Sequence, residues 1–124
     1  MANPVIHIEH LSSNVEQGKK FYTSLFDWKV EDMPVPGAEP YQVVKAEQGP
    51  NIGFFTIPGD THPSWLTYVR VDDIKASVAK AKQLGASVVE DIVEFGDYGW
   101  ACVLSDPAGA VFAIWQYREN QAEH

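Results

Sequence analysis

Histidine and glutamate residues cluster near the start of the chain, in the stretch VIHIEH at positions 5–10. Imidazole nitrogens and carboxylate oxygens are ligands that zinc and other transition metals bind. The stretch has the apolar and β-branched character of a strand, in which side chains alternate between two faces. We therefore expect His7 and Glu9 to share one face and His10 to lie on the other. The pair could bind a metal ion, act as a general acid or base, or form a satisfied polar network.

Length and charge restrict the classes of function open to the chain. It has 124 residues, 45% of them hydrophobic, which is enough for one domain with its own core. The formal net charge is −8 and the nine Lys and Arg residues are scattered. Because phosphate binding needs clustered cations, we expect no nucleic-acid partner. An acidic surface could attract a cationic small molecule, but it also serves solubility alone.

Neither a signal peptide nor a membrane span is expected. The opening residues MANPVIHIEH lack a basic region followed by an apolar run. No apolar stretch approaches the roughly 18 residues that a membrane span needs. The single cysteine, Cys102, allows no internal disulfide, so a reducing compartment is the default. We expect a cytoplasmic protein without membrane contacts.

The first half of the chain predicts a strand, a helix and three further strands. The first strand covers residues 5–11. Ser13 and Glu16 have the spacing of a capping box, with Ser13 as the N-cap. Apolar residues at helical spacing then predict a helix over Asn14–Phe26. The strand-like segments that follow are residues 28–32, 41–46 and 52–57.

The second half repeats this plan. A strand over residues 65–71 precedes Asp72 and Asp73, which can cap a helix, and Gly85 is the expected helix stop. The strand-like segments that follow are residues 87–95, 100–104 and 110–116.

A constant offset of 59 residues relates the two halves. It separates Val15 from Ile74, and the tripeptide Val-Glu-Asp at 30–32 from the same tripeptide at 89–91. These coincidences and the matching element order indicate a duplicated unit. We predict an α+β fold of two βαβββ modules, about 4–57 and 64–117, joined by a linker at 58–63 in a single domain of residues 1–124. In each module a helix covers one face of a four-stranded sheet.

Three segments carry a resemblance to a known superfamily: GKKFYTSLFDW at 18–28, VRVDDIKASVAKAKQLGA at 69–86 and SDPAGAVFAIWQ at 105–116. In these segments the chain resembles the vicinal oxygen chelate superfamily, which includes glyoxalase I, bleomycin-resistance proteins and extradiol dioxygenases. The resemblance implies that the two repeats form open half-barrel sheets. It implies less about activity, because one fold hosts many functions.

The resemblance also implies where a metal ion would be bound. Metal-binding members place four ligands on four strands, two in each half, and here these positions correspond to His7, Phe54, Leu66 and Ala113. The position of Phe54 has a margin of one residue, because the loops differ. Three of the four residues are apolar, whereas a zinc site needs three or four protein ligands. We therefore predict a member that lacks most metal ligands and has no cofactor.

Strand alternation predicts the residues that line a pocket on the uncovered sheet faces. Aromatic side chains with a few polar groups are typical of a small-molecule site. The predicted pocket residues are His7, Glu9, Tyr41, Phe54, Leu66, Tyr68, Arg70, Trp100, Ala113 and Trp115. The pattern leaves open the face on which Trp100 and Cys102 lie, and Cys102 is expected to be a small buried hydrophobe.

These observations predict a protein that binds a small organic molecule in a cavity without a catalytic metal. One alternative is a metal-dependent lyase, isomerase or dioxygenase that uses His7 and Glu9. Another is a dimeric scaffold with no small ligand. Superfamily members commonly dimerise, so we expect a homodimer formed through strand edges or apolar sheet faces.

Overall fold

The first half of the chain forms one strand, one helix and three further strands. A computed structural model describes residues 3–35, 37, 39–46 and 48–119. Strand β1 covers Val5–Ser12 and helix α1 covers Val15–Leu25. The next three strands are β2 at Val30–Met33, β3 at Tyr41–Val44 and β4 at Asn51–Thr56.

The second half forms the same series of elements. Strand β5 covers Ser64–Arg70 and helix α2 covers Ile74–Gln83. The last three strands are β6 at Ser87–Phe95, β7 at Gly99–Ser105 and β8 at Val111–Tyr117.

The described residues divide into two compact units, one of residues 6–66 and one of residues 3–5 with 67–119. In the first unit β1 is parallel to β4, and β4, β3 and β2 are successively antiparallel. In the second unit β5 is parallel to β8, and β8, β7 and β6 are successively antiparallel. The repeated connectivity confirms the predicted α+β fold of two βαβββ repeats.

The N-cap of α1 differs from the prediction by one residue. Asn14, not Ser13, caps the helix, because its Oδ1 accepts the Gln17 backbone N–H at 3.1 Å. The Asn14 Nδ2 also donates to Gln17 Oε1 at 3.1 Å, so the two side chains fix the first turn together. In α2 the predicted Asp73 cap is confirmed, with its Oδ1 3.0 Å from the Ala76 nitrogen. Gly85 follows this helix with φ +102°, a conformation that favours glycine.

The core of the second unit lies between α2 and one face of its sheet. Ile74 and Val78 of the helix pack with Cys102, Leu104 and Ile114 of the strands. These side chains remove apolar surface from water and so hold the helix on the sheet. The opposite face of each sheet, away from its helix, is called the open face.

Both helices are short compared with the thickness of a lipid bilayer. Helix α1 has 11 residues and α2 has 10, whereas a transmembrane helix needs about 20. Within residues 3–35, 37, 39–46 and 48–119, no helix is both long and apolar enough to span a membrane.

Candidate ligand-binding site

His7 and Glu9 lie on the open face of the first unit, as their alternation along β1 predicts. In the register of β1 and β4, Glu9 is paired with Gly53, and paired residues of a sheet face the same side. Tyr41 reaches this face from β3, because Val43, two residues further on, is also paired with Gly53. Two strands, β1 and β3, therefore bring an imidazole, a phenol and a carboxylate together over the glycine of β4.

These three side chains form a connected polar group that we call the His7–Tyr41–Glu9 cluster. The Tyr41 hydroxyl donates to Glu9 Oε2 at 2.5 Å. The His7 Nε2 lies 2.8 Å from the Tyr41 hydroxyl oxygen and 3.4 Å from Glu9 Oε1. Glu9 is only 7% exposed, so its carboxylate is largely removed from water and depends on these contacts.

The proton arrangement of the cluster follows from the hydrogen bond that Tyr41 donates to Glu9. A phenol has one hydroxyl hydrogen, and Tyr41 uses it in the hydrogen bond to Glu9, so in the contact with His7 the Tyr41 oxygen is the acceptor. The His7 ring therefore carries a proton on Nε2. The His7 proton is directed to the Tyr41 oxygen and the Tyr41 proton to the carboxylate, so Glu9 is the acceptor at the end of a short relay. Such an arrangement can hold a hydrogen-bond donor or move a proton.

Gly53 provides the space that the cluster occupies. A Cβ atom at this position would overlap the Tyr41 hydroxyl and lie 2.7 Å from Glu9 Oε2. The contact between Tyr41 and Glu9 therefore requires glycine at the facing position of β4. This role was not predicted from the sequence, because the register of β1 and β4 is needed to recognise it.

His10 lies on the helix side of the same sheet, as predicted, and not with His7. Its ring packs against Tyr22, Phe54 and Trp65, with centroid distances of 5.9, 5.2 and 5.1 Å. Its Nδ1 is buried and has no hydrogen-bond partner among the described residues. Burial lowers the pKa of His10 below its ordinary value of 6.5, and its own backbone and the Glu9 charge offset part of this effect.

Phe54 does not belong to the open face, which corrects the sequence prediction. It is paired with His10 in the β1–β4 register, and its ring contacts that residue on the helix side. Glu9 is paired with Gly53, and Tyr68, its counterpart in the second half, is paired with Ala113. Equivalent positions of β4 and β8 are therefore 60 residues apart, so Gly53, and not Phe54, corresponds to Ala113. Loops of different length between the halves produced the error of one residue.

The open face of the second unit carries most of the residues predicted there. Parallel pairing sets Tyr68 beside Ala113 and Arg70 beside Trp115. Leu66 has the same parity as Tyr68 along β5 and is buried, but it is the last residue of the first unit. Ala113 is fully buried, with 0% of its surface exposed.

Two further aromatic residues join Trp115 on this face. Phe95 and Tyr117 lie 5.8 and 5.9 Å from the Trp115 ring, centroid to centroid. The Arg70 guanidinium lies over Tyr117, 5.6 Å from its centroid. Tyr117 is two residues from Trp115 on β8, so alternation alone could have identified it. Phe95 could not be found this way, because irregularities in β6 shift its register.

Trp100 lies on the helix side of the second unit, contrary to its predicted place in the pocket. It is paired with Gln116, whose Oε1 accepts the Ile74 N–H at the start of α2. The Arg118 guanidinium covers the Trp100 ring at 4.5 Å. Cys102 has the same parity and lies in the core at 1% exposure, where burial raises the pKa of its thiol.

Comparison with protein families agrees with the fold of two βαβββ repeats. A family model described as a glyoxalase-like domain matches residues 7–115. The chain belongs to the glyoxalase-like family. The superfamily predicted from the three sequence segments is thereby confirmed.

Two curated relatives illustrate the similarity within the glyoxalase-like family. A Mycobacterium tuberculosis protein named "Putative glyoxylase CFP32" is 36% identical over 103 residues, which are 79% of this chain and 40% of that protein. The Streptomyces peucetius anthracycline biosynthesis protein DnrV is 28% identical over 120 residues, 85% of this chain and 44% of that protein. The chain thus spans less than half the length of these relatives.

Solved structures share the fold at lower sequence identity. Hypothetical protein BH1468 from Bacillus halodurans superposes with a TM-score of 0.71 at 16% identity, covering 100% of both chains. Methylmalonyl-CoA epimerase from M. tuberculosis superposes with a TM-score of 0.70 at 10% identity, covering 96% of this chain and 91% of that chain. At these identities the likeness shows the fold alone.

The residues of this chain do not fit the metal ion that the superfamily resemblance implies. Of the positions assigned to metal ligands, His7 alone has a metal-binding side chain, and the register replaces Phe54 by Gly53. The neighbouring Glu9 already accepts a hydrogen bond from Tyr41. Within the described part of the chain, no three His, Cys, Asp or Glu side chains lie close enough to hold a metal ion.

Proposed function

We propose that this glyoxalase-like protein binds a small organic molecule through the His7–Tyr41–Glu9 cluster, without a catalytic metal. The observation that carries the proposal is the buried carboxylate of Glu9, which is 7% exposed and is oriented by the Tyr41 hydroxyl at 2.5 Å. A carboxylate is costly to bury, and a fold gains little from one where an apolar side chain would pack. Relatives named for glyoxylase function and for anthracycline biosynthesis support a small organic ligand.

The proton order of the cluster specifies the ligand group that it would receive. A carboxylate has about four acceptor sites, and the Tyr41 bond uses one of them. The His7 proton is directed to the Tyr41 oxygen, and Glu9 Oε1 receives the longer 3.4 Å approach of the His7 ring. The ligand would therefore contribute a hydrogen-bond donor, a protonated amine or a hydroxyl. The net charge of −8 favours the amine by long-range attraction.

A thermal-shift screen of cationic drugs and amine or hydroxyl metabolites tests this proposal. We expect a compound that raises the melting temperature of the protein, with an affinity reduced by about tenfold or more in Glu9→Gln, because a hydrogen bond to a charged group contributes about 1.5–3 kcal/mol. Glu94→Gln is the matched control, since Glu94 pairs with Arg118 and is a surface group. An unchanged affinity in Glu9→Gln would show that the His7–Tyr41–Glu9 cluster does not bind the ligand.

Metal analysis separates this proposal from a metal-dependent lyase, isomerase or dioxygenase that uses His7 and Glu9. Protein prepared without chelators should contain zinc, nickel and iron far below one equivalent. Stoichiometric metal that is lost in His7→Ala would overturn the proposal and favour the metal-dependent alternative.

We also propose that two copies of the chain form a homodimer. Helix α1 supports this, because none of its residues is buried and it exposes apolar side chains on one face. Phe21 is 58% exposed and Leu25, one turn later, is 59% exposed. Apolar side chains at this spacing form a stripe that a second copy could cover.

A further inference from the structure

The indole nitrogen of Trp115, on the open face of the second unit, is a buried hydrogen-bond donor. Trp115 Nε1 is shielded from solvent, and none of the described residues accepts its proton. A buried donor left without an acceptor costs roughly 1–3 kcal/mol. Native structures contain few such groups, and each calls for an explanation.

The Trp115 ring lies in an aromatic group, and one member of this group, Tyr117, lies under the Arg70 guanidinium. Phe95 lies 5.8 Å from the Trp115 ring at an interplanar angle of 38°, and Tyr117 meets it edge-on at 5.9 Å. Arg70, the β5 partner of Trp115, holds its guanidinium 5.6 Å from the Tyr117 centroid. The flat faces suit a planar ring, and the charge of Arg70 favours an atom of partial negative charge.

Gly99 of β7 leaves the room that the Trp115 ring occupies. A Cβ atom at Gly99 would overlap the Gln116 carbonyl oxygen and lie 2.9 Å from Trp115 Cζ2. Gly99 therefore lets the indole lie close to β7. Phe95 is the most exposed member of the group, at 43%. A ligand would therefore reach the indole either beside the Phe95 ring or by displacing that ring.

We propose that Trp115 donates its indole hydrogen to an oxygen of a planar aromatic ligand, packed between Phe95 and Tyr117. The ligand class is an aromatic ring with a carbonyl or other oxygen acceptor in its plane. This inference goes beyond the proposed function, because it gives the second unit a small-molecule position of its own. It uses a side chain of the second unit, whereas the proposed function depends on Glu9 of the first.

Indole N–H signals in NMR spectra of the intact chain test the inference. The probes are 1-indanone, a planar ring with a ketone oxygen, and indane, which has nearly the same shape without the oxygen. The chain has four tryptophans, so the Trp115 signal is assigned by its loss in Trp115→Phe. We expect 1-indanone to move the Trp115 proton downfield and to bind about fivefold more weakly to Trp115→Phe, as the loss of one neutral hydrogen bond predicts.

A matched variant and a second measurement keep this test decisive. Trp100→Phe makes the same change on the helix side of the same sheet, and it should bind 1-indanone like the wild type. An equal effect of indane, an unchanged Trp115 signal at saturating 1-indanone, or magnetisation transfer showing water bound at this N–H would each overturn the inference. A thermal-shift ligand that still depends on Glu9 would leave the proposed function standing in those cases. If no screened compound binds, the proposed function itself fails.

Discussion

At the scale of single residues, the arrangement of the candidate site is sensitive to small changes in side-chain volume and polarity. The His7–Tyr41–Glu9 cluster exists because β4 presents glycine at position 53, where even a methyl group would occupy the place of the Tyr41 hydroxyl. The position looks unremarkable in the sequence GPNIGFF, since neither a turn nor a positive φ marks it. Its importance is steric, and it follows from the residues that the fold places opposite.

Gly53→Ala should destabilise the protein and disorder the cluster. We expect a loss of about 1–3 kcal/mol in the free energy of unfolding, the usual cost of overpacking a filled space. Urea unfolding measures this loss. In a Tyr41→Leu background, which removes the hydroxyl, the same substitution should cost clearly less. Equal costs in both backgrounds would show that Gly53 acts through something other than Tyr41.

At the scale of elements, α1 is held to its sheet through an aromatic group centred on His10. Gly18 of the helix approaches so closely that a Cβ atom there would lie 2.7 Å from His10 Cε1. Tyr22 of the helix contacts the same ring and also stacks on Trp28 at 5.8 Å. Since no residue of α1 is buried, this contact carries much of its packing, and burial in it lowers the pKa of His10.

The packing of α1 should weaken in acid. Burial lowers the pKa of folded His10 below the unfolded value near 6.5, so the unfolded chain binds more protons in that range. The stabilising contribution is fully present above pH 6.5 and is lost as the pH falls through the folded pKa. Urea unfolding at pH 7.5 and 5.5 measures the difference in stability. His10→Leu should reduce this difference and His62→Asn should not; an undiminished difference in His10→Leu would contradict the prediction.

At the scale of the whole molecule, the exposed stripe of α1 bears on assembly. Light scattering after size exclusion should give twice the mass of one chain. Leu25→Lys should shift the protein toward the monomer, because it places a charge in an apolar interface. Leu84→Lys is the control, since Leu84 is 69% exposed at the end of the other helix. A wild-type monomer at 100 µM would contradict the homodimer, and an intact Leu25→Lys dimer would exclude α1 as its interface.

The sequence by itself determined the local elements, their duplication and the superfamily. Helix caps, turns and apolar periodicity are short-range properties, so they located α2 and its Asp73 cap and separated His7 and Glu9 from His10. Only the tertiary structure decided which side chains meet. The pairing register places Phe54 and Trp100 on the helix sides of their sheets. A register irregularity in β6 places Phe95 beside Trp115. A shift of one residue reverses the face of a strand, and loop lengths and bulges set that shift through contacts between distant segments.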